Sequence, residues 1–287
     1  MRIRKPVVAG FFYPSDKNDL IRTIEWSFKH NLGPGELPKP VETKRTNTIG
    51  YIAPHAGYIY SGPIAAHVFY NMGLDDVPDT VIILGTNHTG YGKPVSIYPS
   101  GVWETPLGLL EVDKELAMKV SEVSEIADLD IYAHLEEHSV EVQLPFIQYL
   151  YQYVYKREVK ILPIVIGIHT PDVARDLAKS ILNSIKELNR KALVLASSDF
   201  NHYEPHEVTI RKDMNAIKKV LELDTVGFYN TIIDENISIC GPGGIMVLME
   251  IAKACKGTAI LLRHATSGDI SGDKSAVVGY AAIRFQS

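Results

Sequence analysis

The chain has 287 residues, 46% apolar and 22% charged, the proportions of an ordinary globular protein, so disorder and collagen-like repetition are excluded. The 29 Lys and Arg against 34 Asp and Glu leave a net charge of −5 with no basic run longer than short pairs such as Lys44-Arg45 and Lys156-Arg157, which argues against a nucleic-acid footprint. Cys240 and Cys255 are too few for a disulfide framework, and no apolar run approaches the roughly 18 residues of a membrane span, so the chain reads as soluble and cytoplasmic.

The first 14 residues mix Arg2, Arg4 and Lys5 with a short apolar stretch and lack the long apolar core of a signal peptide. They end in Phe11-Phe12-Tyr13, of which Phe11 is expected to pack into the core and Phe12 and Tyr13 to wall a ligand pocket. A helix is predicted over Leu20 to Lys29, then a Pro/Gly-rich surface connection from Asn31 to Thr46, a strand over Thr48 to Ala53 and a helix over Pro63 to Asn71. A strand over Thr80 to Leu84 follows, then an extended insertion or hairpin from Tyr91 to Leu110 and a helix over Lys114 to Val123. The pattern from Val140 to Tyr155 is helical, with a kink or early break expected at Pro145.

Beyond it come a strand over Val159 to Ile166, a helix over Pro171 to Asn189, a strand over Ala192 to Ala196, and helices over Glu207 to Leu223, Thr225 to Asp234 and Ile245 to Lys256. Strands over Ala259 to Leu262 and Ala276 to Ile283 close the chain. Such alternation predicts an α/β protein, one domain over residues 1–287, with a central, largely parallel mixed sheet flanked by helices.

Three apolar runs end alike: TIGYIAPH reaches His55, TVIILGTNH reaches His88, and ALVLASSDFNH reaches Asp199 and His202. Ligands bind outside the carboxyl ends of strands in open α/β sheets, so these side chains are expected to converge, with His55 and His88 as metal ligands. Cys240, in SICGPGGIM, precedes a Gly-rich turn and an apolar helix whose N-terminus favours a thiolate, the form that binds metal or attacks a substrate. Cys255 falls on the apolar period of that helix and reads as inert core. In LEEHSVEVQLPF, His138 and Glu141 share a face if the segment is helical and can then pass protons or orient a ligand, whereas Ser139, Glu136 and Glu137 read as a helix cap and its favourable charges. His67 is expected to pack, and His30, His169, His206 and His264 to lie in loops or at the surface.

Taken together, AGFFYPSD, IAPHAGYIYSG, ILGTNH, EEHSVEVQLPF, SSDFNHY and SICGPGGI, with a terminal strand containing GYAA, resemble the Memo family across essentially the whole chain. That family is similar to the LigB-type catalytic subunits of class III extradiol dioxygenases, in which two His and one carboxylate hold non-haem Fe(II) and a further His is the acid/base. The resemblance implies that His55 and His88 are the two His ligands, that His202 is the acid/base residue, and that Cys240 stands where the carboxylate would be. It also implies iron or copper binding, redox chemistry and a cleft that takes peptides. A thiolate is softer than a carboxylate and suits zinc or copper as well as iron, so dioxygenase activity does not follow from the fold. Phe12 stands where animal members carry Trp, and Pro242 and Gly243 where they carry Arg and His, which weakens the case for phosphopeptide recognition.

The expected function is a metal-dependent oxidoreductase acting on a small molecule: His55, His88 and Cys240 hold a divalent metal, Fe(II) first with Cu or Zn as alternatives. His202, oriented by Asp199, would move a proton, with His138 and Glu141 in support. The rivals are a peptide- or ligand-binding module and a zinc hydrolase; a serine hydrolase is disfavoured by the lack of a G-x-S-x-G elbow.

Overall fold

Residues 2–287 are described in the computed structural model. The strands in chain order are β1 (Ile3–Arg4), β2 (Thr48–Ala53), β3 (Thr80–Thr86), β4 (Val95–Ile97), β5 (Val102–Thr105), β6 (Gly108–Glu111), β7 (Asp128–Leu129), β8 (Lys160–Ile166), β9 (Ala192–Ser197), β10 (His202–Glu204), β11 (Thr258–Thr266) and β12 (Val277–Gln286). The helices are α1 (Lys17–Lys29), α2 (Tyr58–Gly73), α3 (Lys114–Val123), α4 (Leu144–Gln148), α5 (Pro171–Glu187), α6 (His206–Leu221), α7 (Thr225–Asp234), α8 (Pro242–Ala254) and α9 (Ser267–Ser271).

Among the described residues nine strands form one mixed sheet in the order β10-β12-β2-β9-β3-β8-β4-β7, with β11 on β12. Its centre, β2-β9-β3-β8, is parallel; β12 against β2 and β4 against β8 are antiparallel. The α/β expectation is borne out, and the continuous apolar runs have a simple cause. Both faces of the sheet are covered, so each central strand buries alternate residues in two separate cores. Val81 and Ile83 of β3, with Leu193 and Leu195 of β9, pack on the face covered by α1, α2 and α4. Ile82 and Leu84, with Val194 and Ala196, pack on the face covered by α3, α5 and α8.

Several boundaries differ from those read in the sequence. α1 begins at Lys17 because Asp16 caps it, accepting from the amides of Asn18 and Asp19. Pro145 breaks nothing: it is the second residue of α4, where a missing N–H costs little, and the chain runs from a 3-10 turn at Glu141–Gln143 through α4 into a π-helical turn at Tyr149–Val154. The Tyr91 to Leu110 stretch divides: β4 joins the main sheet, while β5 and β6 form a hairpin that pairs with β1.

Phe11, expected in the core, is 88% exposed, because the turn that places Phe12 against the site turns its neighbour outwards. Cys255 is exposed at the end of α8, where the helix period stops applying. Two histidines expected at the surface are instead tucked in. His206 is buried against Thr266, and His264 donates to the buried Asp213. Among the described residues no helix is long and apolar enough to cross a membrane.

Candidate metal centre

β2, β9 and β3 lie side by side and point the same way, so their carboxyl ends open on one edge of the sheet. His55, His88 and Asp199 each follow a strand end closely, after Ala53, Thr86 and Ser197. Cys240 comes from elsewhere, in the turn before α8. It is held there by two bonds: Gly241 N donates to Ser198 Oγ at 3.0 Å, and Asp199 N donates to Cys240 Sγ at 3.2 Å. A Cβ at Gly241 would meet Ser197 O at 2.8 Å, so only glycine lets this turn approach β9. The donor atoms of His55, His88 and Cys240 lie within 4.8 Å of one another, with His55 Nε2 3.1 Å from Cys240 Sγ.

The partners of each imidazole determine which nitrogen faces that point. Ser197 Oγ donates to Ser139 O at 2.6 Å and accepts from Gln143 Nε2 at 2.8 Å, so its bond with His55 Nδ1, at 3.0 Å, is one in which Nδ1–H donates. Nε2 is then left with a lone pair directed at Cys240. His88 Nδ1 lies 2.9 Å from Glu137 Oε1, the carboxylate–histidine arrangement that raises ligand basicity and leaves Nε2 for a metal.

Glu137 is wholly buried and also accepts from the amides of His88, His138 and Ser139 at 2.7, 2.9 and 2.8 Å. Burial by itself would raise its pKa, but the hydrogen bonds from His88 and the Ser139 amide help hold it down to about 2. With its oxygens so committed, Glu137 orients the site. Burial, then the neighbouring rings of His138 and His88, hold His55 neutral well below its ordinary range, and burial lowers His138 to about 4. Neutral imidazoles are the form that binds metal.

The thiol behaves differently from the sequence expectation. Burial and then the charge of Asp199 push the Cys240 pKa up, outweighing the nearby N–H donors, so without a cation the sulfur stays protonated. A bound metal supplies the charge that reverses this, since a coordinating thiol is deprotonated. The donor set therefore fits a divalent metal: two imidazoles with free Nε2 lone pairs and one thiol in mutual reach, His55 buried, Cys240 half-buried and His88 exposed towards the cavity.

Above the floor opens a cavity of about 930 Å³, lined further by Phe12, Tyr60, His138, His202, Tyr203, Ser238 and Tyr280. His138 stacks on His88 with ring centroids 4.5 Å apart, and Phe12 lies 4.7 Å from His138. His202 is fixed by Ser238: its Nδ1 bonds Ser238 O at 2.7 Å and its amide donates to Ser238 Oγ at 2.8 Å. Asp199, expected to orient His202, instead accepts from His55 N at 2.8 Å and shapes the β2 loop; burial raises its pKa to about 6.

Two other expected site residues are not brought to the cavity. Tyr13 is buried and donates to Glu141 at 2.6 Å. Glu141 pairs with Arg4 and accepts from the amides of Val7 and Val8, because the chain at His138 is not yet helical and the two side chains diverge. Ser139 caps no helix; its hydroxyl accepts from Thr86 N and donates to Thr86 O, clamping the end of β3. Glu137, Ser197 and Gln143 were not identified as site residues from the sequence. Glu137 and His88 are 49 positions apart, and no periodicity connects them.

Residues 4–284 match the family described as Memo-like protein. A MEMO1 family protein of Desulfurococcus amylolyticus is 62% identical over 285 residues, covering 99% of each chain. MEMO1 family proteins of Ignicoccus hospitalis and Sulfurisphaera tokodaii are 51% and 49% identical over 286 and 285 residues, again covering 99% of each chain.

Proposed function

The chain belongs to the Memo-like family, and on that premise we propose that it is a metal-dependent oxidoreductase for a small organic substrate, with His55, His88 and Cys240 as the metal ligands. The observation that carries the reading is the pair of imidazoles whose outer nitrogens are occupied, by Ser197 and by Glu137, so that both inner nitrogens are free beside one thiol. A divalent metal held by these residues would supply Lewis acidity towards an oxygen donor and, if iron or copper, redox capacity.

The chain's own residues supply the rest. Phe12 packs on His138, and His138 stacks on His88, so an aromatic wall stands beside that ligand. His202 is a cavity residue whose Nδ1 is taken by Ser238 O, leaving Nε2 to give or take a substrate proton, help typically worth about 10²- to 10⁴-fold. Fe(II) is the first choice because the resemblance to LigB-type dioxygenases points to it; zinc with the same ligands would instead favour hydrolysis, and a metal-independent cleft a binding role.

The test is elemental analysis of anaerobically purified protein, wild type beside His55→Ala, His88→Ala and Cys240→Ser. Near-stoichiometric iron or copper lost in each variant supports the reading. Metal content unchanged in the histidine variants overturns it.

A further inference from the structure

The wall of the cavity away from the metal group has a chemistry of its own. None of its described lining residues is Lys or Arg, whereas Asp273 lies on it with the exposed rings of Tyr60 and Tyr203; Tyr280, which also lines it, is 1% exposed. Asp273 sits in the exposed turn after α9, where its Oδ1 accepts from the amide and hydroxyl of Ser275 at 3.0 and 2.7 Å. Those bonds hold its carboxyl below the usual carboxylate range, so it is ionised at neutral pH. No hydrogen bond falls on Oδ2 among the described residues. The adjacent ammonium, Lys274 Nζ, does not line the cavity and lies 3.3 Å from His206 Nε2.

Tyr203 strengthens the assignment. Its φ is 60°, a left-handed conformation that costs a side-chain-bearing residue roughly 1–2 kcal/mol. The flanking anchors impose it: His202 is bonded to Ser238, and Glu204 to Asn201 and Lys212. The effect is to leave a 78%-exposed phenol ring at the mouth of the cavity.

We infer that this wall is a subsite for an organic cation, and that the substrate class is an amine-bearing small molecule whose ammonium group meets Asp273 and the tyrosine faces while the rest of the molecule reaches towards the floor. A carboxylate beside aromatic rings is the chemistry that recognises ammonium groups, and the volume lies within the range of small-molecule sites, roughly 300–1,000 Å³. Anionic ligands find no matching cation on this wall. The inference rests on the reading of the cavity as the substrate site, but not on which metal is bound there.

The test uses metal-free, chelator-treated protein carrying Cys255→Ser, so that it is independent of the metal assignment. Modification rates of Cys240 are measured by mass spectrometry with trimethylammonioethyl methanethiosulfonate, a cation, and sulfonatoethyl methanethiosulfonate, an anion. Each rate is divided by that of mercaptoethanol in the same buffer. The comparison is repeated at the mouth with Ser271→Cys in a Cys240→Ser, Cys255→Ser background, so a slow thiol on the floor does not decide the result.

The expected preference for the cation is at least about tenfold, the lower end of what charged clefts achieve by focusing. It should fall at least about threefold in Asp273→Asn and on raising the salt to about 1 M, where the screening length is about 3 Å. A normalised ratio near one at both thiols, a preference for the anion, or a ratio unchanged by Asp273→Asn overturns the inference. Loss of the metal assignment alone would leave these rates as they are.

Discussion

Replacing Glu137 by Gln tests the logic of the site more sharply than removing a ligand. Glu137 takes three donors on Oε1 and one on Oε2, and every one of those donors is an N–H. An amide has only one acceptor oxygen. Whichever way Gln turns, its NH₂ faces an N–H, and the least damaging orientation sacrifices the bond to His88 N. The charge is lost as well. Lowering the carboxyl from 4.5 to about 2 on folding corresponds to about 3 kcal/mol of stability, at about 1.4 kcal/mol per pKa unit.

The sign follows from the direction of that shift. A carboxyl with a depressed folded-state pKa contributes fully above the unfolded value near 4.5 and loses that contribution as pH falls towards 2. In urea titrations of the metal-free protein, Glu137→Gln should therefore be less stable than wild type by about 3 kcal/mol at pH 7, and the gap should narrow between pH 5 and pH 3. Metal affinity, read by competition with a chelator, should fall about 10- to 100-fold, the usual effect of removing a carboxylate behind a histidine ligand. A stability gap below about 0.5 kcal/mol at pH 7, or one that is flat with pH, would refute the reasoning, because a surface-like substitution has effects of that size.

Three further outcomes follow from the same contacts. Glu141→Ala leaves the buried Arg4 guanidinium, which also stacks 4.3 Å over Trp103, without its counter-ion, and should cost about 3–5 kcal/mol in urea denaturation; Arg4→Met in the same chain should recover part of it, and a loss under about 1 kcal/mol would contradict the burial. Ser197→Ala removes the acceptor that selects the His55 tautomer, so metal affinity should drop about tenfold or more, and an unchanged affinity would show that the tautomer is set elsewhere. A Cβ at Gly279 would lie 1.8 Å from Asp213 Oδ2, so Gly279→Ala should destabilise by about 1–3 kcal/mol, and Asp213→Ala should be strongly non-additive with it in a double-mutant cycle; additivity would mean that the two sites do not touch.

Much of the architecture is legible from local pattern. β3 reads as a fully buried strand because both of its faces meet helices, so Val81 to Leu84 has no polar alternation to hide it. His55 and His88 are visible because each ends such a run, and strand ends are where an α/β sheet exposes its chain to ligands. Less was legible in the 134–144 stretch. Its short turns and 3-10 geometry carry no period, so spacing alone pairs His138 with Glu141 on a helical face that the backbone does not form.

The sequence by itself determined the α/β class, the order of the central strands and the main helices, and which histidines and which cysteine sit at chain positions able to meet. These follow from hydrophobic periodicity and from residues within one strand and its turn, all short-range along the chain. Tertiary structure alone decided that Glu137 orients His88, that Ser197 and Gln143 orient His55, that Glu141 belongs to Arg4, and that Asp273 faces the cavity. Those partners are brought together by folding from distant segments, Arg4 and Glu141 being 137 positions apart, and a hydrogen bond depends on distances of a fraction of an ångström that no local pattern encodes.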